Sequence, residues 1–294
     1  MPIHTVTALL AVSADKGWAV GQFNSHNMIM MKAALAAAAA EQAPVILAMG
    51  YQSMRYLSLT SLASAARALA EEANVPVAIH LDHARDVDLI RAALRCGFSS
   101  VMFDGCALSY ADNVRITREV VAMARDAGAS VEGEVGVVPQ AGTRPGEISL
   151  TNIDQAAEFA ECTGVDLLAV SVGSVHGMSE ASLAIDQELL EKLARVISVP
   201  LVLHGASGVT DEAVQLAITR GVRKINVNTA LKTASTRRMR EMLAARPDVD
   251  YLELLDLGGA AITELVAHKM RVFGSSGRAG AASRLILPTA ERMR

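Results

Sequence analysis

Residues 76–105 read PVAIHLDHARDVDLIRAALRCGFSSVMFDG. The stretch falls into three parts. Residues 77–81 form an apolar run opened by Pro76, residues 87–95 carry an amphipathic helical pattern, and residues 99–103 form a second apolar run. Strands that are apolar along their length are buried on both faces, as in a parallel sheet covered by helices. Residues 76–105 therefore read as a β–α–β unit.

The pattern repeats on both sides of this unit. Further strand-like runs lie at 18–23, 45–49, 130–134, 167–172, 200–204 and 222–227, which makes eight in all. Helical patterns follow at 27–41, 60–73, 111–127, 153–162, 187–196, 211–219 and 230–245. Pro44, Pro76, Gly128, Gly164, Pro200 and Gly221 stand just before strands, where a helix ends and the chain turns. Eight units of about 26 residues each are what a (β/α)8 TIM barrel needs. A doubly wound open sheet is the alternative, but it usually has fewer strands, and no GxGxxG follows the first strand here. Residues 251–271 read as an additional C-terminal helix. No break in composition marks a second domain, so residues 1–280 form a single barrel domain and 281–294 a tail.

Composition narrows the function classes. The 294 residues are 51% hydrophobic, enough to bury a large core and to exclude intrinsic disorder. A net charge of −4 argues against a nucleic-acid partner, which needs clustered Lys and Arg. Aromatic residues make up only 3%, which argues against base stacking on single strands. No apolar run reaches the roughly 20 residues that cross a bilayer, so no membrane role is expected. The first fifteen residues lack the basic start and cleavage pattern of a secretory signal. Cys96, Cys106 and Cys162 are odd in number and far apart, which fits a reducing cytoplasm.

Barrel enzymes build their sites where strands end. The strand exits here carry Asn24, Asp82 with His83, Asp104, Glu134, His176, His204, and Asn226 with Asn228; only the second exit, Gly50, has no such side chain. Surface polarity would not be sorted in this way. Three neutral imidazoles with an open fourth position make a catalytic zinc arrangement, so His83, His176 and His204 are expected to share a metal. His4, His26, His80 and His268 read as structural or surface residues. Two small-residue turns add an anion site. His204-Gly205-Ala206-Ser207-Gly208 follows the seventh strand, and Asn226-Val227-Asn228-Thr229 follows the eighth and opens a helix. Backbone N–H groups in such turns, and at a helix start, receive phosphate.

Six motifs, taken together, carry a family resemblance: Leu81-Asp82-His83, Val101 to Gly105, Val131 to Gly136, Ser174 to Gly177, Leu203 to Gly208 and Asn226 to Thr229. In order and spacing the chain resembles the class II, metal-dependent ketose-bisphosphate aldolases over about residues 5–280. It looks closest to the tagatose-bisphosphate branch, as does Val272-Phe273-Gly274-Ser275-Ser276-Gly277-Arg278 near its end.

The resemblance implies one catalytic Zn2+ per subunit on His83, His176 and His204, with Asp82 as the proton donor. It places Asp104 and Glu134 at an alternative or second metal position and is compatible with a monovalent cation. Gly177, Gly205, Ala206 and Ser207, with Asn226, Val227, Asn228 and Thr229, would hold the dihydroxyacetone phosphate half, and Asn24 would join the substrate site. Lys232 would meet a distal anion. The implied partners are a small sugar phosphate and further copies of the chain, as a homodimer or homotetramer, with an accessory subunit in some relatives.

The chemistry explains the residue types. Retro-aldol cleavage leaves a carbanion beside a ketone, and a divalent ion on the ketone and hydroxyl oxygens stabilises it as a Lewis acid. A carboxylate beside the ion takes the C4 hydroxyl proton in cleavage and returns it in condensation. Asp82, adjacent to a ligand, is placed for that work.

The chain departs from its relatives at three places. The segment 137–147 is short and offers Glu147 as the one acid for proton exchange on dihydroxyacetone phosphate. No Lys follows His176-Gly177, and Met49-Gly50-Tyr51 stands where relatives place Thr or Ser. The aldolase class is thus better specified than the sugar, tagatose or fructose 1,6-bisphosphate or another ketose 1-phosphate. Two other readings stay open. A Schiff-base aldolase would use Lys224, the one Lys inside an expected strand, and a non-catalytic partner subunit would keep the fold without the reaction. A metal-dependent hydrolase would start with an HxH pair on the first strand, which His4 lacks.

Overall fold

The computed structural model describes residues 3–13, 17–143, 149–178 and 180–280. Eight parallel strands close into a barrel in sequence order: β1 (Val20–Asn24), β2 (Val45–Gly50), β3 (Val77–Ala84), β4 (Ser100–Phe103), β5 (Ser130–Val135), β6 (Leu167–Val170), β7 (Leu201–Leu203) and β8 (Val222–Val227). The ring shuts where β1 pairs with β8, Gln22 lying beside Asn226. The open-sheet alternative is excluded.

Helices α1 (Val6–Leu10), α2 (Met28–Glu41), α3 (Leu59–Glu72), α4 (Val87–Arg95), α5 (Tyr110–Asp126), α6 (Ile153–Thr163), α7 (Gln187–Val196), α8 (Asp211–Thr219), α9 (Thr229–Ala245) and α10 (Tyr251–Val272) complete the described fold. Their starts are chemically marked: Asn27, Ser58, Ser109 and Thr210 each accept a backbone N–H through the side chain, which satisfies a donor the helix cannot. Helix α2 is apolar nearly all round because it is covered twice, by the barrel and by α10. The tail 281–294 lies outside the described residues.

Side chains alternate in and out along each strand. Those pointing out (Leu47, Ile79, Val101, Val131, Ile225) join the helices in one large core. Those pointing in at the lower end form a separate apolar cluster of Val20, Ile46, Ala78, Leu167, Ala169 and Val202. Helix α1, which the sequence pattern did not announce, closes this floor: Val6, Leu9 and Leu10 are buried in it, and the Val6 N–H donates to Ser130 Oγ at 3.1 Å. A five-residue helix is too short to display periodicity.

One strand differs from expectation in a way that builds the site. β3 runs past residue 81 to Ala84, and its register with β4 shifts between Leu81 and Ala84. His83 sits in the bulge with φ of 50°, in the left-handed region that a non-glycine residue occupies only at a cost. In a regular strand Asp82 and His83 would face opposite sides. The bulge turns His83 inward, so both line the same cavity.

Candidate active site

A cavity of about 880 Å³ opens at the carboxyl ends of the strands. Asn24, Asp82, His83, Asp104, Glu134, His176, Gly177, Gly205, Ser207, Asn226, Asn228, Thr229 and Lys232 all line it. Three residues expected there do not. His204 is fully buried, its Nδ1 3.0 Å from His83 Nε2. Ala206 packs into the outer core from a short 3-10 turn, and Val227 points outward from β8 beneath the helices. Ala206 and Val227 can offer only their backbone. Glu147 falls outside the described residues.

The three imidazoles converge from β3 and from the loops after β6 and β7. Their ring centroids are 4.7 to 5.7 Å apart, each pair edge-on. One nitrogen of each lies within 4.8 Å of the others, and a second set, His83, Asp104 and Glu134, meets the same criterion. The two sets share His83. Its Nε2 lies 3.0 Å from His204 Nδ1, while its Nδ1 faces Asp104 Oδ2 at 3.5 Å and Glu134 Oε2 at 3.8 Å.

This donor set fits a cation. Burial disfavours a charged His83, yet the carboxylates of Asp82, Asp104 and Glu134 outweigh it and raise its pKa to about 9. The surroundings of that ring favour positive charge. Burial and the neighbouring imidazoles lower the pKa of His176 to about 3, keeping it neutral as a ligand must be. His176 Nε2 is buried with no hydrogen-bond partner, an orphaned polar atom that a bound ion would satisfy. His83, His176 and His204 would hold a divalent metal, with Asp104 and Glu134 beside it.

Asp82 is oriented by Asn24, whose Nδ2 donates to Oδ2 at 2.7 Å, while Oδ1 is left unpartnered. Burial resists its charge, but His83, His204, His80 and Lys224 hold its carboxyl well below the usual range. Asp104 accepts from Arg85 through both Nε and Nη2, each at 2.9 Å. Burial is again overcome, by His83 and Arg85, and its pKa falls to about 2. Glu134 goes the other way, raised by burial and by the charges of Asp104 and Glu132.

The two small-residue turns are tightly built. Gly205 has φ of 66°, and a Cβ there would meet the Val175 backbone at 2.8 Å, so only glycine fits. Ser207 Oγ accepts the N–H of Asn228 at 3.3 Å and of Ala230 at 3.2 Å, tying the β7 turn to the start of α9. Asn228 caps α9 with no side-chain hydrogen bond to the helix itself, unlike the caps of α2, α3 and α5.

Several residues escaped the sequence reading. His26 was expected to be structural or superficial, but it lines the cavity and bonds Ser53 Oγ at 3.0 Å and Asn228 Oδ1 at 3.1 Å. Arg85, two positions after His83, also lines it. Glu132 is wholly buried below the histidines, with Oε1 2.7 Å from His204 Nε2. Its signal was present in the sequence: it stands two residues before Glu134, on the same inward face of β5. Lys224 is not presented to the cavity as a Schiff-base amine would be. It is fully buried and ion-paired to Glu132.

Known proteins share this arrangement of chain and fold. The model of the family described as "Fructose-bisphosphate aldolase class-II" matches residues 4–278. A fructose-bisphosphate aldolase of Geobacillus stearothermophilus is 41% identical over 285 residues, covering 95% of this chain and 99% of that protein. A sulfofructosephosphate aldolase of Alkalicoccus urumqiensis is 36% identical over 280 residues, covering 92% and 96%. The crystal structure of the YdjI aldolase from Escherichia coli K12 superposes with a TM-score of 0.85 at 32% identity, covering 95% of this chain and all of that one.

Proposed function

This chain belongs to the class II fructose-bisphosphate aldolase family and is a lyase, and from there we propose that it is a zinc-dependent aldolase that cleaves a ketose 1-phosphate reversibly to dihydroxyacetone phosphate and an aldehyde. The observation that carries this reading is the convergence of His83, His176 and His204 beside the free oxygen of Asp82. The metal, when bound, supplies Lewis-acid stabilisation of the charge left on the ketone side.

The remaining work belongs to side chains. Asp82 takes the C4 hydroxyl proton as the C3–C4 bond breaks. The electron pair of that bond stays with C3, and C4 leaves as an aldehyde carbonyl. Asn24, donating to Oδ2, holds the carboxylate so that the free Oδ1 can accept that proton. A second acid protonates C3, and Glu147 is the sequence candidate. Gly177, Gly205, Ser207, Asn228 and Thr229, with the backbone of Ala206 and Val227, grip the 1-phosphate. Asn226 stands between this grip and His204.

The aldehyde half carries an anion in this proposal. Fructose bisphosphate and sulfofructose phosphate, the substrates in the relatives' names, are charged at both ends. Among the described residues the cavity is lined by two Lys or Arg side chains, Lys232 and Arg85, and Lys232 Nζ reaches Gln52 Oε1 at 3.5 Å. Tagatose and fructose 1,6-bisphosphate fit this description. The three free cysteines support a reducing cytoplasm, no described helix is long and apolar enough to cross a membrane, and the family resemblance supports a homodimer or homotetramer.

A coupled assay for dihydroxyacetone phosphate tests the reading. Ketose 1-phosphates with phosphate, carboxylate, sulfonate or uncharged tails are compared with and without chelator. Chelator-sensitive cleavage of a charged-tail substrate is expected, and absence of cleavage across the panel would refute the proposal.

A further inference from the structure

Below the three histidines the barrel interior holds a pair of charges that the reaction does not use. Lys224 and Glu132 are fully buried, with Nζ 2.7 Å from Oε2. Glu132 Oε1 then meets His204 Nε2 at 2.7 Å, which leaves Nδ1 of that ring facing His83. Lys224 Nζ also donates to Asn226 Oδ1 at 2.8 Å, so the amide nitrogen of Asn226 is the group turned towards His204 Nε2, 3.2 Å away. His80 completes the layer, its Nδ1 at 2.8 Å from Ser100 Oγ and its Nε2 at 3.8 Å from Glu132 Oε2.

A buried ion pair is a poor way to stabilise a fold, because desolvation offsets most of the attraction. The floor of the same barrel, one step down, is filled by Val20, Ile46, Ala78, Leu167, Ala169 and Val202. Apolar side chains therefore suffice to pack this interior. What the charged layer adds is direction. One ammonium fixes a carboxylate that fixes a histidine, and the same ammonium fixes an amide at the edge of the cavity.

We propose that Lys224 is a positioning residue for the metal centre, setting the tautomer and orientation of His204 through Glu132 and the orientation of the Asn226 amide directly. This rests on the reading of His204 as a metal ligand. Without the ammonium, Glu132 is an uncompensated buried charge, free to turn towards His80, and the Asn226 amide loses the contact that tells its oxygen from its nitrogen.

The test is zinc affinity, measured by competition with a chelating dye, alongside kcat and KM for cleavage. The double variant Lys224→Met/Glu132→Gln removes both charges together, so no lone charge is left buried. It is expected to fold, to bind zinc about 10- to 100-fold more weakly than wild type, and to lose kcat, the scale of a removed ligand-orienting contact. The floor variant Ile46→Val serves as control and should lower the melting temperature with zinc affinity unchanged. A folded double variant whose zinc affinity and kcat stay within about twofold of wild type overturns the proposal. If the double variant does not fold, Glu132→Gln is titrated in its place; about 10-fold weaker zinc supports the proposal, and unchanged zinc overturns it. Wild type that binds no zinc overturns the metal reading and this inference with it.

Discussion

The floor and the mouth of the barrel are made by the same strands and obey opposite rules. On β3 the inward residues run Ala78, His80, Asp82; on β1 they run Val20, Gln22, Asn24; on β5, Ser130, Glu132, Glu134. Each step of two residues rises about 6.6 Å. Within two steps the interior passes from a dry hydrocarbon layer sealed by α1 to a layer of charge-bearing groups around an 880 Å³ cavity. The lesson is a division of labour: the floor and the outer core hold the barrel shut, so the mouth can carry carboxylates and imidazoles crowded together at a cost in stability.

That division can be broken from either side. The largest effect should come from His204→Ala, which removes a proposed metal ligand. Cleavage should fall by at least about 10³-fold, the scale of losing the group that stabilises the developing charge, while metal analysis shows zinc gone and circular dichroism shows the barrel intact. Full zinc content in that variant would rule out His204 as a ligand. Next is Leu167→Ala in the floor, a buried leucine whose loss should cost about 3 kcal/mol of stability in denaturant titration, with kcat per folded molecule unchanged. A marked fall in kcat would mean that floor and mouth are coupled.

Asp82→Ala should retain zinc and lose roughly 10²-fold in kcat, as expected of a positioned acid–base group. An unchanged turnover number removes Asp82 from the proton path. Lys232→Ala should have the smallest effect, raising KM by about 10-fold for a substrate with an anionic tail and hardly at all for one with an uncharged tail, the scale of a single charge-assisted contact. Equal shifts for both substrates would assign Lys232 a structural role and leave Arg85 as the lining cation for the tail.

The sequence made the outer architecture legible and hid parts of the inner one. Burial on both faces imposes continuous apolar runs, so all eight strands could be found within a few residues of their ends. Strand exits are where barrels put chemistry, so Asp82, His83, Asp104, Glu134, His176 and His204 stood out together; the first five line the cavity and His204 lies buried against His83. Helix α1 was silent because its role depends on tertiary contact with the floor, not on periodicity. The bulge at His83 was silent because register is a relation between β3 and β4 that neither strand reveals alone. Glu132 and Lys224 lie ninety-two positions apart, and nothing in the order of residues says that a glutamate and a lysine will pair inside a closed ring. Ala206 and Val227 show the converse: a motif names every residue of a turn, although only some side chains face the cavity.

The most direct check is removal and return of the metal. Purified protein should contain a single zinc ion per chain. Exhaustive chelation should abolish release of dihydroxyacetone phosphate from a ketose 1-phosphate, with the fold preserved, and stoichiometric zinc should restore it. Undiminished cleavage by the metal-free protein, or covalent trapping of substrate on a lysine by borohydride, would mean that His83, His176 and His204 are not the centre of the reaction.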